Sequence, residues 1–269
     1  MDKKSFIEKS SEFSKNLAVG FVKKLLVFQN LDSTNLTAKD LARGGAEEGT
    51  VILAQTQRKG RGRFDRSWQS PEGGVYLSLI LRPHIVPEKV SLLPIGAALV
   101  VAKTIESYGL HPTIKWPNDV RVNGKKIAGI LLESEINGNT LTYVIVGIGV
   151  NVNIDSRLLS DDIRLRSTSL KTEIGATVEY FEFLGRFFRE FDEFYHRFMK
   201  QQYDKIIEEW KSYSDTLGKV IRIRTSVSSI QGTAIAVDQS GFLLLRTEKG
   251  DIQKILSGDC LYFDELDHT

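Results

Sequence analysis

The segment Gln57-Arg-Lys-Gly-Arg-Gly-Arg-Phe-Asp-Arg-Ser-Trp68 sets five cations and two glycines in one polar connection that ends on an aromatic ring. Gly60 and Gly62 let a backbone approach a ligand closely, while the planar guanidinium forks of Arg61, Arg63 and Arg66 match phosphate or carboxylate oxygens. This chemistry calls for an anion, and Trp68 could stack on a base. Alone, the segment also fits a solvated basic loop, or a short arginine-glycine stretch touching RNA.

A second constellation narrows the choice. In Lys115-Trp-Pro-Asn-Asp119, Trp116-Pro117 enforces an extended entry to a turn from which Asn118 and Asp119 present polar groups. Lys126 returns from the far side of an Asn123-Gly124 hairpin. Each of these residues is ordinarily a surface residue, but beside a cationic glycine loop they describe a site for magnesium, nucleotide phosphates and an acid substrate. Other devices are missing. There is no Gly-x-x-x-x-Gly-Lys-Ser/Thr loop, and Gly147-Ile-Gly149-Val-Asn-Val152 lacks the third glycine of a dinucleotide fingerprint. His84, His111, His196 and His268 have no zinc-ligand spacing, and no nucleophile motif points to covalent catalysis.

The elements that must position these groups follow from patterning. Val51–Ala54 and Val75–Leu81 flank the loop as strands, and the alternation of Val75, Leu77, Leu79 and Leu81 predicts one face in the core. Asp32–Asn35 reads as a cap on a helix over Leu36–Ala42. Ser91–Tyr108 reads as a helix with Pro94 in its first turn and Gly109 past its end. Hairpins at Asn123-Gly124 and Asn137-Gly138-Asn139 imply an antiparallel-rich mixed sheet. Residues 153–176 read as loop with some helix. Phe181, Leu184, Phe188, Phe191, Tyr195 and Phe198 then mark an amphipathic helix, followed by a shorter one with Tyr203, Ile206, Ile207 and Trp210. From Lys219 to Phe263, short strands between turn signals predict a small β-barrel. The fold class is therefore α+β, with a larger domain over 1–214 and a C-terminal barrel over 215–269.

Composition sets outer limits. A formal net charge of +2 over 269 residues argues against wholesale wrapping of nucleic acid, so the loop charge must be read locally. One cysteine, Cys260, forms no internal disulfide. With no signal-peptide run at Met1–Ser10 and no charge-free span of membrane length, the expected location is the cytoplasm, with no membrane contact. The stretch Met1–Leu26 shows no helix-turn-helix pattern, so DNA binding is not expected.

Lys59-Gly-Arg-Gly-Arg63 with Arg66 and Trp68, Ser70-Pro71, Tyr76-Leu-Ser78, Lys115-Trp-Pro-Asn-Asp119, Lys126-Ile-Ala-Gly-Ile-Leu131 and Gly147-Ile-Gly-Val-Asn151 together resemble the biotin protein ligases, in the family's order and over about residues 28–153. The resemblance implies a class II synthetase-like catalytic domain with an SH3-like C-terminal barrel. It implies ATP with Mg2+ and biotin as substrates, biotinyl-5′-adenylate as intermediate, and the biotin carboxyl carrier domain of a carboxylase as acceptor. It leaves a homodimer open.

By the same resemblance, Lys126 bridges the biotin carboxylate and the α-phosphate, and Arg61 and Arg63 hold the adenylate and order the loop. Ser33, Thr34 and Gln57 bind the biotin ring, with Tyr76 lining its pocket and Gly60, Gly129, Gly147 and Gly149 permitting close approach. Arg66, Trp68, Lys115, Asn118, Asp119 and Asn151 serve the nucleotide, with Asp119 also the candidate metal ligand. Asp65 departs from the family by standing where many relatives have glycine. The rival readings are a lipoate or octanoate ligase of the same fold, which needs a long apolar tunnel, and a non-catalytic RNA-binding protein, which leaves Lys115–Asp119 and Lys126–Leu131 without a role. A bifunctional ligase-repressor is disfavoured by the unpatterned N-terminus.

Overall fold

A computed structural model describes residues 3–138, 140–225 and 228–263, so Asn139 of the second expected turn and His268 lie outside the described residues. In chain order the elements are α1 (Lys3–Asn16), β1 (Lys24–Leu31), α2 (Thr34–Arg43), β2 (Thr50–Gln57), β3 (Val75–Leu81), α3 (Leu92–Glu106), β4 (Pro112–Lys115), β5 (Asp119–Val122), β6 (Lys125–Asn137) and β7 (Thr140–Val150). There follow α4 (Asp161–Arg166), α5 (Leu170–Ile174), α6 (Tyr180–Met199), α7 (Tyr203–Tyr213), β8 (Val220–Arg224), β9 (Ser229–Val237), β10 (Leu243–Arg246), β11 (Ile252–Ile255) and β12 (Asp259–Tyr262).

Seven strands form one sheet in the order β1-β2-β3-β7-β6-β5-β4, with only the β1/β2 pair parallel. The β5/β6 hairpin turns on Asn123 (φ 49°) and Gly124 (φ 75°), the two left-handed positions that a two-residue hairpin loop requires. α3 is buried around almost its whole circumference because the sheet lies on one side and α6 and α7 on the other. The aromatic stripe of α6 fills that layer, and burial of Phe183, Phe187, Phe188, Phe191, Phe194 and Phe198 contributes roughly 1.5–3 kcal/mol each.

The second face of the sheet is also covered. Ala38 and Ala42 of α2 pack on Ile52, Ile80, Tyr143 and Ile145, so every residue of β3 is buried. That corrects the expectation of one core-facing side for Val75–Leu81: alternation reports polarity, and here Tyr76 and Ser78 on the second face are sealed under other groups. The unpatterned N-terminal stretch contains α1, whose Phe6 and Phe13 pack on Tyr180 and Phe181 at ring-centroid distances of 5.7 and 5.4 Å.

The last five strands form an antiparallel sheet in the order β11-β10-β9-β8-β12. Its Ile221, Ile223, Val237, Leu243 and Leu245 share the main core. The Trp116 indole donates to Gly241 O at 3.1 Å, and the Trp116 amide donates to Thr216 Oγ1 at 2.9 Å. The C-terminal sheet is thereby fastened to the turn that carries Asn118 and Asp119.

Candidate active site

Regular pairing of β6 with β7 puts Gly129, Leu131, Glu133 and Glu135 on the same face as Gly149, Gly147, Ile145 and Tyr143. α2 covers the Ile145 end of that face and leaves the glycine end bare. The result is a pocket floored by Gly129, Gly147 and Gly149 and walled by Ser33, Thr34, Asn35, Gln57, Arg61 and Leu131. A side chain on the floor would fill it: a Cβ on Gly147 would lie 1.9 Å from Asn35 Oδ1, and one on Gly149 would lie 2.5 Å from the Trp68 indole nitrogen.

Apart from Arg61, the polar part of the wall is a hydrogen-bonded chain of neutral groups. Gln57 Oε1 accepts from the Thr34 amide at 2.8 Å and from the Thr34 hydroxyl at 3.1 Å. Gln57 Nε2 donates to Ser70 Oγ at 2.9 Å, which donates to Trp68 O at 3.0 Å. At the other end, Ser78 Oγ lies 2.8 Å from Thr34 Oγ1 and 2.6 Å from Asn35 Oδ1. Ser33 occupies the N-cap position of α2 in extended backbone, but its hydroxyl makes no capping bond. Asp32 does not cap either; its carboxylate pairs with Arg58 at 2.8 Å and Lys59 at 3.4 Å, and those hydrogen bonds hold its pKa below the ordinary value. The expected cap is thus a pocket wall followed by a tether for the arginine loop.

A larger, cation-rich cavity opens beyond the pocket. Lys115, Arg121, Lys125, Asn151, Arg166 and Arg224 line it alone, while Arg63, Arg66, Trp68, Asn118, Asp119 and Lys126 line both spaces. Lys126 Nζ stands 2.6 Å from Asp119 Oδ1 and 5.4 Å from the centre of the Trp68 ring. The indole nitrogen of Trp68 is buried with no hydrogen-bond partner among the described residues, a donor left for a ligand to satisfy.

Three sides clasp the arginine loop. Arg61 donates to Glu133 Oε1 at 3.1 Å, Arg63 to Asn118 Oδ1 at 3.1 Å and Gly258 O at 3.0 Å, and Arg66 pairs in bidentate fashion with Asp259. Burial lowers the Arg63 guanidinium pKa against the pull of Asp119 and Asp259, yet arginine stays cationic at neutral pH. The Asp259 hydrogen bond raises that of Arg66. Phe64 and Asp65 have φ of 54° and 57°. Asp tolerates this left-handed geometry better than most residues.

Two expected site residues lie outside both cavities. Tyr76 lines neither cavity: it is fully buried, its hydroxyl donates to Pro71 O at 2.7 Å, and burial pushes its phenol well above the ordinary pKa. Gly60 also lies outside the lining, where a Cβ would strike Trp68 O at 2.3 Å, so it serves the close approach of the loop to its own return. Lys115 and Asn151 line the outer cavity only. The Lys115 ammonium sits 4.4 Å over the Tyr262 ring, and Asn151 donates to Thr168 O at 3.0 Å. No group of three metal-ligating side chains occurs among the described residues.

Asn35, Ser78, Glu133 and Asp259 were not among the expected site residues. Counting by twos from Gly129 along β6 reaches Glu133, so its place was readable. Asp259 arrives from a distant sheet and carried no such signal.

A glycine-floored neutral pocket joined to a cationic cavity, on a seven-stranded mixed sheet with an attached five-stranded one, defines a ligase of the biotin/lipoate class. Residues 27–151 match the Biotin/lipoate A/B protein ligase family, and 216–261 match the Biotin protein ligase C terminal domain. The chain is 39% identical over 237 residues to the bifunctional ligase/repressor BirA of Bacillus subtilis, covering 87% of this chain and 73% of that one. It is 34% identical over 226 residues to the biotin--[acetyl-CoA-carboxylase] ligase of Paracoccus denitrificans, covering 81% and 92%. The biotin protein ligase of Aquifex aeolicus in complex with biotin and ATP superposes with a TM-score of 0.75 at 30% identity, over 88% of this chain and 97% of that one. The chain belongs to the biotin protein ligase family.

Proposed function

We propose that this protein activates biotin with MgATP to biotinyl-5′-adenylate and transfers the biotinyl group to a lysine of a carboxylase's carrier domain. The observation that carries the assignment of roles is the position of Lys126, which lines both the neutral pocket and the cationic cavity. A carboxylate and a nucleotide α-phosphate would meet at that junction. Their approach brings two anions together, and a fixed ammonium there stabilises the charge that develops as the carboxylate–phosphorus bond forms and pyrophosphate departs. Asp119 holds the ammonium until substrate oxygens replace it. Arg63 and Arg66 face the same junction, and keeping the loop closed over it shields the anhydride from water. In the second step the carrier lysine attacks the acyl carbon, the new C–N bond forms, and AMP leaves.

The neutral wall favours biotin over lipoate. Biotin's ureido group needs both donors and acceptors, which Ser33, Thr34, Asn35 and Gln57 supply, whereas a dithiolane ring offers no such partner. The reading needs no DNA contact, since the described residues before β1 form a single helix packed on α6. It also puts the reaction in the cytoplasm, where ATP is at hand. Cys260 is buried and in no disulfide, and no described helix is long and apolar enough to cross a membrane. We read the chain as a ligase domain through residue 214 followed by a barrel that braces the loop through Gly258 and Asp259. The test is pyrophosphate release with MgATP and candidate acids: release that depends on biotin supports the assignment, and release that depends on lipoate alone sinks it.

A further inference from the structure

We infer that Glu133, which contacts neither cavity, is a positioning residue that sets the hydrogen-bond direction of Asn35 and Ser78 in the pocket wall. This rests on the proposed biotin site. Glu133 Oε2 accepts from Asn35 Nδ2 at 2.9 Å, while its Oε1 takes Arg61 at 3.1 Å and faces Lys39 at 4.0 Å. The carboxylate side chain is only 19% exposed.

An ionised carboxylate only accepts, so the Asn35 amide must turn its NH2 toward Glu133 and its oxygen toward Ser78. Asn35 Oδ1 then takes the Ser78 proton across 2.6 Å. Thr34 has one hydroxyl proton for two acceptors, Ser78 Oγ and Gln57 Oε1; in either case its backbone amide holds Gln57 Oε1 at 2.8 Å, so Gln57 presents its NH2 to Ser70. Glu133 thus sets the direction of Asn35 and Ser78, while the Thr34 amide and the Trp68 carbonyl set that of Gln57 and Ser70. Four members of the wall, Thr34, Asn35, Ser70 and Ser78, are buried, where a misdirected donor has no water to turn to. An ureido ring therefore meets a wall whose donors and acceptors are already assigned, and the same carboxylate holds Arg61 at the pocket.

Glu133→Gln is nearly isosteric but can donate as well as accept, so it removes the direction without opening space. Titration calorimetry of the full chain with biotin alone should show affinity falling about 10-fold, as expected for a hydrogen bond to a charged group. Binding of MgATP alone should be unchanged, because no side chain lining the outer cavity bonds Glu133. The exchange variant Asn35→Asp with Glu133→Gln moves the acceptor-only group one position along the wall and lets the glutamine amide donate to it. It should bind biotin more tightly than Asn35→Asp alone, a non-additivity that a general loss of structure would not produce. Biotin affinity of Glu133→Gln within about 2-fold of the unmodified protein, against the charged-bond expectation, overturns the inference. So does a parallel loss of MgATP binding, or an exchange variant no better than Asn35→Asp. If the unmodified protein binds no biotin, the proposed function falls and takes the inference with it; if it binds and Glu133→Gln behaves alike, only the inference falls.

Discussion

The neutral pocket and the arginine loop lie side by side and are built in opposite ways. Pocket groups sit on strands or on the first turn of α2, are mostly buried, and bond one another through short uncharged contacts. Loop groups sit on a connection between β2 and β3, and their charges are held by carboxylates and carbonyls drawn from β6, the Lys115–Asp119 turn and the C-terminal sheet. A wall of fixed neutral dipoles discriminates by shape and direction at no reorganisation cost on binding. A set of ion pairs must exchange partners when an anionic ligand arrives, so it suits a group whose charge appears during the reaction. The second region can close only because the fold supplies temporary counter-ions.

Removing Lys126 should break both regions together, since it borders each. Lys126→Ala is expected to lower biotin-dependent pyrophosphate release by roughly 10²–10³-fold, measured at saturating biotin and MgATP; a change confined to KM would mean that the junction only binds. Gly147→Ala addresses the pocket alone. Its Cβ would lie 1.9 Å from Asn35 Oδ1, and forced overpacking of about 1–3 kcal/mol should appear as weaker biotin binding by calorimetry, with MgATP binding intact. Arg63→Gly addresses the loop alone by removing its bonds to Asn118 and Gly258. Biotinyl-adenylate should still form but leave about 10-fold faster, the scale of one charge-assisted bond; equal retention half-lives would show that the clasp does not close the site.

The smallest effect concerns an ion pair remote from the ligand sites. Burial disfavours the Asp238 carboxylate, but Lys254 at 2.6 Å and the Ser240 and Phe242 amides outweigh it, so its pKa is lowered. A lowered carboxylate contributes stability that is present above its unfolded value, near 4, and is lost as pH falls through the folded value. Asp238→Asn should therefore melt below the unmodified protein at pH 7, with the gap closing as pH falls below the ordinary carboxylate range and through the lowered folded value. A gap that persists in acid would assign the turn's stability to its amide bonds instead of its charge.

Much of the fold could be read along the chain. The β5/β6 hairpin follows from Asn123-Gly124, the α6 layer from aromatic residues at helical spacing, and α3 from an apolar run bounded by Pro94 and Gly109. The mixed sheet and the attached antiparallel strands are of the expected kinds. β3 was half-read, because its polar residues face a lid of α2 and hydrogen-bonded side chains and not water. α1 was not read at all, since its packing depends on aromatics that lie far along the chain in α6.

The residues themselves determined the inventory of chemistry: cationic forks on a glycine loop, an ammonium returned by a hairpin, and glycines where a ligand comes close. Local rules suffice for these because each depends on side-chain type and a few backbone angles. Only the tertiary structure decided their grouping. It put Lys126 at the meeting of two cavities, withdrew Tyr76 and Gly60 from the lining, turned the Asp32–Asn35 cap into a wall, and brought Asp259 and Gly258 to the arginines. Those outcomes depend on strand register and on contacts across most of the chain length, where the partner of each group is set by packing rather than by its neighbours in sequence.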